Sequence, residues 1–317
     1  MSADLATDHS APPLPFDVAV PTDGYRWWYV DGLSDDGRSG LVVIAFVGSV
    51  FSPYYYSARA RGSGDPENHV AINVGLYRPN GKLWVMTERS RSSLERDAEN
   101  FRVGPSRLEW VNDRLEIHID ERSAPFARRV RGKITVEPGL LNRESFELDA
   151  AGLHRWHPLA PLARIDVQFD EPAWRWQGDA YLDSNAGERP LESDFSSWHW
   201  SRGTHAGKSS IAYAVRQRDG SDRALSLEIS DSGIEHRPLP PAVDLPSTGW
   251  LVRRATNSAV APTVVRTFED TPFYARSLLR VDSDGGARHV MHESLSLERF
   301  ESAWVRTLLP FRMPRRR

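Results

Sequence analysis

Apolar and polar residues alternate along most of this chain in short runs, and Gly, Asn, Asp and Pro break one run from the next. Successive side chains of an extended strand point to opposite faces, so this period-of-two pattern predicts strands with a buried and a solvated side. Four segments also carry a turn between two such runs. Leu76 to Met86 turns at Asn80-Gly81 and Leu108 to Ile119 at Asn112-Asp113, residue types that suit tight hairpins. Ala212 to Ile229 turns near Asp219-Gly220, and Ser277 to Leu297 turns at Asp284-Gly285-Gly286. Helical periodicity over three turns is hard to find anywhere, so the expected fold class is all-β. At 317 residues the chain is long for one compact core, and regular hairpins in both halves predict two consecutive antiparallel barrel-like domains. Gly187, Pro190 and several charges interrupt the apolar pattern near Asn185 to Glu192. The expected layout is a disordered arm over 1–15, one domain over 16–190 and a second over 191–317.

Charge and composition remove whole classes of function. A net charge of -3 and a pI near 6.4 argue against a nucleic-acid partner, although Arg312, Arg315, Arg316 and Arg317 form a local basic tail. With no cysteine there is no disulfide, thiolate metal site or cysteine nucleophile, which fits a reducing compartment. The polar, Pro-rich N-terminus lacks the basic-then-apolar layout of a signal peptide. The most apolar run, Leu41 to Phe51, is far shorter than the roughly 20 residues of a spanning helix.

Two triplets concentrate chemistry in the middle of the chain. His154-Arg155-Trp156 and Tyr181-Leu182-Asp183 each put two polar or aromatic side chains at i and i+2, on one face of a strand. On neighbouring strands these pairs line one cavity with an acid, an imidazole and two π faces. Asp179 shares a face with Tyr181 and Asp183, while Asp183-Ser184-Asn185 reads equally well as the turn that ends the strand. Trp198 and Trp200 share another face, as core packing or as a binding wall. The run Leu41 to Phe51 reads as a strand buried on both sides, followed by a packed loop of Tyr54, Tyr55 and Tyr56. Read functionally, the run to Phe51 is the wall of an apolar cavity, with Tyr54, Tyr55 and Tyr56 at its mouth. His154, His157, His199 and His205 invite a zinc reading, but positions i and i+3 of a strand face opposite sides, so no metal is expected.

Longer segments carry a resemblance. GLVVIAFVGSVFSPYYYSARARG, HRWHPLAPLARIDV, GDAYLDSN, DTPFYARSLLR, HESLSLERF and LLPFRMPRR are together similar to the carotenoid 1,2-hydratases of purple phototrophic bacteria, also called hydroxyneurosporene synthases or acyclic carotenoid hydratases. The likeness runs from about residue 16 to the C-terminus. It implies two lipocalin-like β-barrel domains and cofactor-free addition of water across the terminal C1=C2 bond of an acyclic carotenoid such as neurosporene or lycopene. It also implies a catalytic set of a His-x-Trp pair and a Tyr-x-Asp pair, here His154 with Trp156 and Tyr181 with Asp183.

The reaction needs these residue types. A trisubstituted alkene is a feeble base, so a carboxylic acid must protonate C2 while charge develops on tertiary C1. Asp183 is the acid of the four, and burial raises a carboxyl pKa in the direction required. Trp156 and Tyr181 offer π faces to the cation, and His154 is the candidate to hold and deprotonate the water. Trp198, Trp200, Phe51, Tyr54 and Tyr55 are the expected substrate-binding residues, with Asp179 and Asp194 the next acids in line. A hydrocarbon of the bilayer implies a cytoplasmic protein attached peripherally to the inner or intracytoplasmic membrane, with the tyrosine loop and the arginines from Arg312 to Arg317 facing lipid. The alternative is a non-catalytic carrier of a polyene or lipid, indifferent to Asp183→Asn.

Overall fold

The computed structural model describes residues 12–283 and 286–316. Strand is the predominant structure, arranged as two large curled sheets and a two-stranded ribbon (Ala242–Leu245 with Arg254–Asn257). The first sheet has thirteen strands, drawn from residues 25–187 together with Arg315–Arg316. The second has seven, drawn from residues 195–296. Each is a curled half-barrel, so the all-β, lipocalin-like expectation holds. The strands of all four hairpins pair. At the first two turns Gly81 has φ +131°, and Asn112 and Asp113 have φ +47° and +63°, backbone that L side chains other than Asn and Asp adopt at a cost, while Asp284 and Gly285 of the fourth turn lie outside the described residues. Most of the expected N-terminal arm lies outside the described residues. Leu14, however, is already buried, and its carbonyl accepts from Trp110 Nε1 at 3.3 Å.

The centre of the first sheet is apolar on both faces. In Tyr25–Ser34, Trp28 and Val30 point into the core inside the first sheet's curl, while Tyr25, Trp27 and Tyr29 point into a second core shared with the other sheet. Gly40–Val47 divides in the same way, with Val43 and Ala45 on one side and Val42 and Phe46 on the other. This accounts for the near-continuous apolar run. Across the shared core, Arg202 of the second sheet reaches Asp31 of the first, with Nε donating at 3.2 Å.

Two expectations about the chain after this strand need correction. Tyr54, Tyr55 and Tyr56 do not form a loop but belong to the helix Pro53–Ala60. Ser52 caps it by accepting from the backbone N–H groups of Tyr54 and Tyr55 at 3.1 and 3.0 Å, and Pro53 occupies the first turn, where its missing N–H costs nothing. The basic tail is not free either. Arg315 binds Glu88, His69 and the carbonyl of Asn68, and Arg315–Arg316 adds a parallel strand beside Glu88–Arg89. Arg312 lies over the Trp84 ring at 4.6 Å, and Arg317 is outside the described residues.

Candidate active site

The long hairpin of His154–Glu171 and Ala173–Gly187 builds the site. Asp183-Ser184-Asn185 is not a turn; the strand runs on to Gly187, because Tyr25–Ser34 pairs along the whole of this stretch and supplies the ladder. Register sets Trp156 opposite Asn185, His154 opposite Gly187, and Tyr29 of the other neighbour opposite Asp183. Gly187 is needed there, since a Cβ would overlap the Tyr25 ring and come within 2.7 Å of His154 Nδ1.

Asp183 receives both site donors on one oxygen. Trp156 Nε1 donates to Oδ2 at 2.8 Å, and the Tyr181 hydroxyl donates to the same atom at 2.9 Å. Oδ1 is buried and has no hydrogen-bond partner. Burial pushes the carboxyl up from its ordinary value of 3.8 to about 8; the Trp156 and Tyr181 bonds oppose this, while the charges of Glu293 and Asp31 add to it. The side chain is therefore a neutral acid at pH 7. Its proton belongs on Oδ1, the oxygen that no donor addresses. Tyr213 completes the aromatic surround, with its ring centroid 5.4 Å from that of Trp156.

His154 belongs to a neighbouring cluster. Its Nδ1 is 2.8 Å from the Tyr25 hydroxyl and its Nε2 is 2.8 Å from Asp194 Oδ2, so both ring nitrogens are engaged and neither meets Asp183. Tyr25 in turn stacks on Trp27 at 5.0 Å. Asp194 also binds Arg189 at 2.8 Å, and Asp179 lies at the surface on Arg164.

Beside this group lies an apolar cavity of about 370 Å³ between the two sheets, with Trp27, Tyr29, Phe46, Phe51, Trp198 and Phe273 in its wall. Of the expected binding residues, Phe51 and Trp198 line it. Trp200 does not, because it packs behind Tyr29 and Tyr181 at 5.7 and 5.4 Å. Tyr55 is fully buried with its hydroxyl on the Gly24 carbonyl at 2.6 Å, and neither it nor Tyr54 borders the cavity, since the helix turns both away. The cavity stops one side chain short of Asp183, at its cross-strand neighbour Tyr29.

Sequence reasoning missed the charged group in this wall. Glu293 Oε1 accepts from the Tyr29 hydroxyl at 2.9 Å and from Arg276 Nε at 2.8 Å, and Arg276 also donates to the Tyr77 hydroxyl at 2.6 Å. A signal was present. Along the strand Gly286–Ser296, Glu293 takes the position in the alternation that buried Met291 and Leu295 share, and along Tyr274–Ser283 Arg276 takes the one between Tyr274 and Leu278. A charge on the apolar face of a strand marks either a buried ion pair or a site.

Fold and site together define a lipocalin-like β protein that holds a protonated carboxyl beside a hydrocarbon-lined cavity. Residues 43–317 match the family model described as carotenoid hydratase CrtC, and the chain belongs to that family. It is 48% identical over 304 residues to an acyclic carotenoid 1,2-hydratase of Thiocapsa roseopersicina, covering 95% of this chain and 75% of that one. The enzyme of the same name from Rubrivivax gelatinosus is 47% identical (95% and 76% covered), and that of Rhodobacter capsulatus 36% (86% and 98%). The chain is accordingly an enzyme of the hydro-lyase type. Among solved structures, kievitone hydratase from Nectria haematococca superposes with TM-score 0.55 at 10% identity, covering 90% of this chain and 98% of that one. A protein of Nitrosomonas europaea described as an AttH gives 0.58 at 15%, with the same coverage. At these identities the likeness is one of fold.

Proposed function

We propose that this protein adds water across the terminal C1=C2 bond of an acyclic carotenoid of the neurosporene or lycopene type, without a cofactor, and forms a tertiary 1-hydroxy product. The observation that carries the reading is Asp183: a carboxyl held neutral by burial, with both donors on Oδ2 and an unpartnered Oδ1. Its proton passes to C2, and the electron pair of the double bond forms the new C–H bond. The positive charge left on C1 meets the π faces of Trp156 and Tyr181, each contact contributing about 0.5 to 2 kcal/mol. As Asp183 becomes an anion, the Trp156 and Tyr181 bonds to Oδ2 strengthen, which favours the transition state over the ground state.

Water then bonds to C1 and must lose a proton. His154 has both nitrogens engaged, so we assign it the positioning of Tyr25, and through Tyr25 of Trp27 in the cavity wall. The ion-paired carboxylate Glu293, which borders the cavity and is tied to Tyr29, is the base this geometry favours. The proton returns to Asp183, so one water is consumed and the enzyme is restored. A neutral carboxyl and an ionised one with divided roles is a recurrent arrangement in acid–base catalysis. Substrate must displace the Tyr29 and Trp27 rings to reach Oδ1.

Purified protein incubated anaerobically with lycopene in detergent should yield a product heavier by one water, with deuterium at C2 when the solvent is D2O. A protein that binds the polyene and returns it unchanged is a carrier, and the hydratase reading is then wrong. Tyr181→Phe gives a finer check. Loss of its hydrogen bond raises the Asp183 pKa further, so the alkaline limb of the rate profile should move to higher pH while the rate on its plateau falls by roughly tenfold. A role in packing alone would leave the limb where it was.

A further inference from the structure

The cavity opens beneath the helix Ala303–Arg312, and that helix is apolar on two sides. Val305 and Leu309 point inward and are buried. Trp304, Leu308 and Phe311, spaced i, i+4 and i+7, point outward and are 48%, 40% and 73% exposed. Next to them the loop before Arg254 presents Trp250 and Leu251, 44% and 72% exposed, and Trp250 stacks on Trp304 at 6.2 Å. Of the eleven exposed large hydrophobic residues among the described residues, these five form one patch, and Trp250, Leu308 and Phe311 are also residues of the cavity wall. The loop is built to hold this shape. Leu251 sits at φ +60°, its N–H donates to the Thr248 carbonyl at 2.9 Å, and Arg299 donates to the Trp250 carbonyl at 2.8 Å.

We infer that this patch is a docking surface for an anionic lipid bilayer, through which a polyene end enters the cavity directly. The partner follows from the rim. Arg299, over the Trp304 ring at 6.0 Å, and exposed Arg253, two residues after Leu251, stand beside the patch, and among the described residues neither makes a salt bridge. Two of the nearby acids are engaged elsewhere, Glu301 with Arg218 and Asp270 with the backbone N–H groups of Gly249 and Trp250, while Glu298 is exposed next to Arg299. Exposed Trp, Leu and Phe within an arginine rim is the composition of a helix that lies in the headgroup region. A second copy on the same face would bring like charges together and plug the cavity. No helix among the described residues is long and apolar enough to span a membrane. Of the residues expected from sequence to face lipid, Tyr55 is buried and Arg315 is paired with Glu88.

The inference rests on the hydratase reading for what enters the cavity, but its test does not. The full chain should float with phosphatidylglycerol–phosphatidylcholine vesicles at low salt, and float less with phosphatidylcholine alone or at high salt. Leu251→Asp keeps a residue type that tolerates positive φ, and Trp304→Gln alters a ring outside the cavity wall. Each should weaken vesicle partition by roughly tenfold to a hundredfold. Both variants should turn over lycopene in detergent like the parent and lose turnover on lycopene embedded in vesicles. Variants that float as well as the parent overturn the proposal, as does a dimer that Leu251→Asp makes monomeric without affecting flotation. Flotation lost in the variants, with no hydration by the parent even in detergent, upholds the docking surface and rejects the hydratase reading.

Discussion

Asp183→Asn is expected to lower hydration by at least roughly a hundredfold, the low end for loss of a general acid, while leaving the protein at least as stable as before. Asn keeps an oxygen for Trp156 and Tyr181 but has no acidic proton for C2. The stability argument follows from the raised pKa of about 8 against an ordinary 3.8. Below 3.8 both folded and unfolded chains carry the proton, and burial imposes no ionisation penalty. As pH rises through the interval up to about 8, the unfolded chain releases the proton and the folded one keeps it, so stability falls. At pH 7 this amounts to on the order of 4 kcal/mol. Asn avoids that loss, and its amide N–H groups, facing the space that Oδ1 now occupies without a partner, cost roughly 1–3 kcal/mol. Urea midpoints should therefore rise in the variant at pH 7, and the gap over the parent should narrow towards pH 5. The parent's rate should be level at neutral pH and decline above about 8, where the acid ionises. A variant active to within a few-fold of the parent would move the acid role away from Asp183.

How much of this was legible in the sequence depends on which interactions are local. The hairpins at Asn80-Gly81 and Asn112-Asp113 announce themselves because a turn's backbone requirement falls on the turn residues. Trp156, Tyr181 and Asp183 could be grouped because i and i+2 on paired strands share a face. Helix 53–60 was hidden by tyrosines that read as strand or loop, although its Ser-Pro cap was in plain view. The placing of His154 was not legible. It turns on Tyr25 and Asp194, which lie 129 and 40 residues away along the chain. Glu293 joins the site from a strand of the other sheet, 264 residues from Tyr29. Registers between sheets are set by packing of side chains from both, and alternation within one strand carries no information about them.

Arg276→Met should destabilise the fold by about 3–5 kcal/mol, because it leaves Glu293 buried without its counter-charge. Glu293→Gln should do the same in the opposite sense, stranding a guanidinium whose side chain is 3% exposed. Neither single change separates a structural ion pair from a catalytic base, since both roles fail together. The double replacement Arg276→Met with Glu293→Gln does. It removes both charges, and the remaining amide can still accept from the Tyr29 hydroxyl at the position where Glu293 Oε1 does so now. Much of the lost stability should return, as it does when buried ion pairs are replaced as a unit. Hydration should remain at least roughly a hundredfold down, because the water attacking C1 has no carboxylate to take its proton. The two readouts are the urea midpoint and the turnover of lycopene in detergent. If both recover together, the Arg276–Glu293 pair serves the fold alone, and the proton acceptor must be sought at Asp183 itself, acting on water after it has protonated C2.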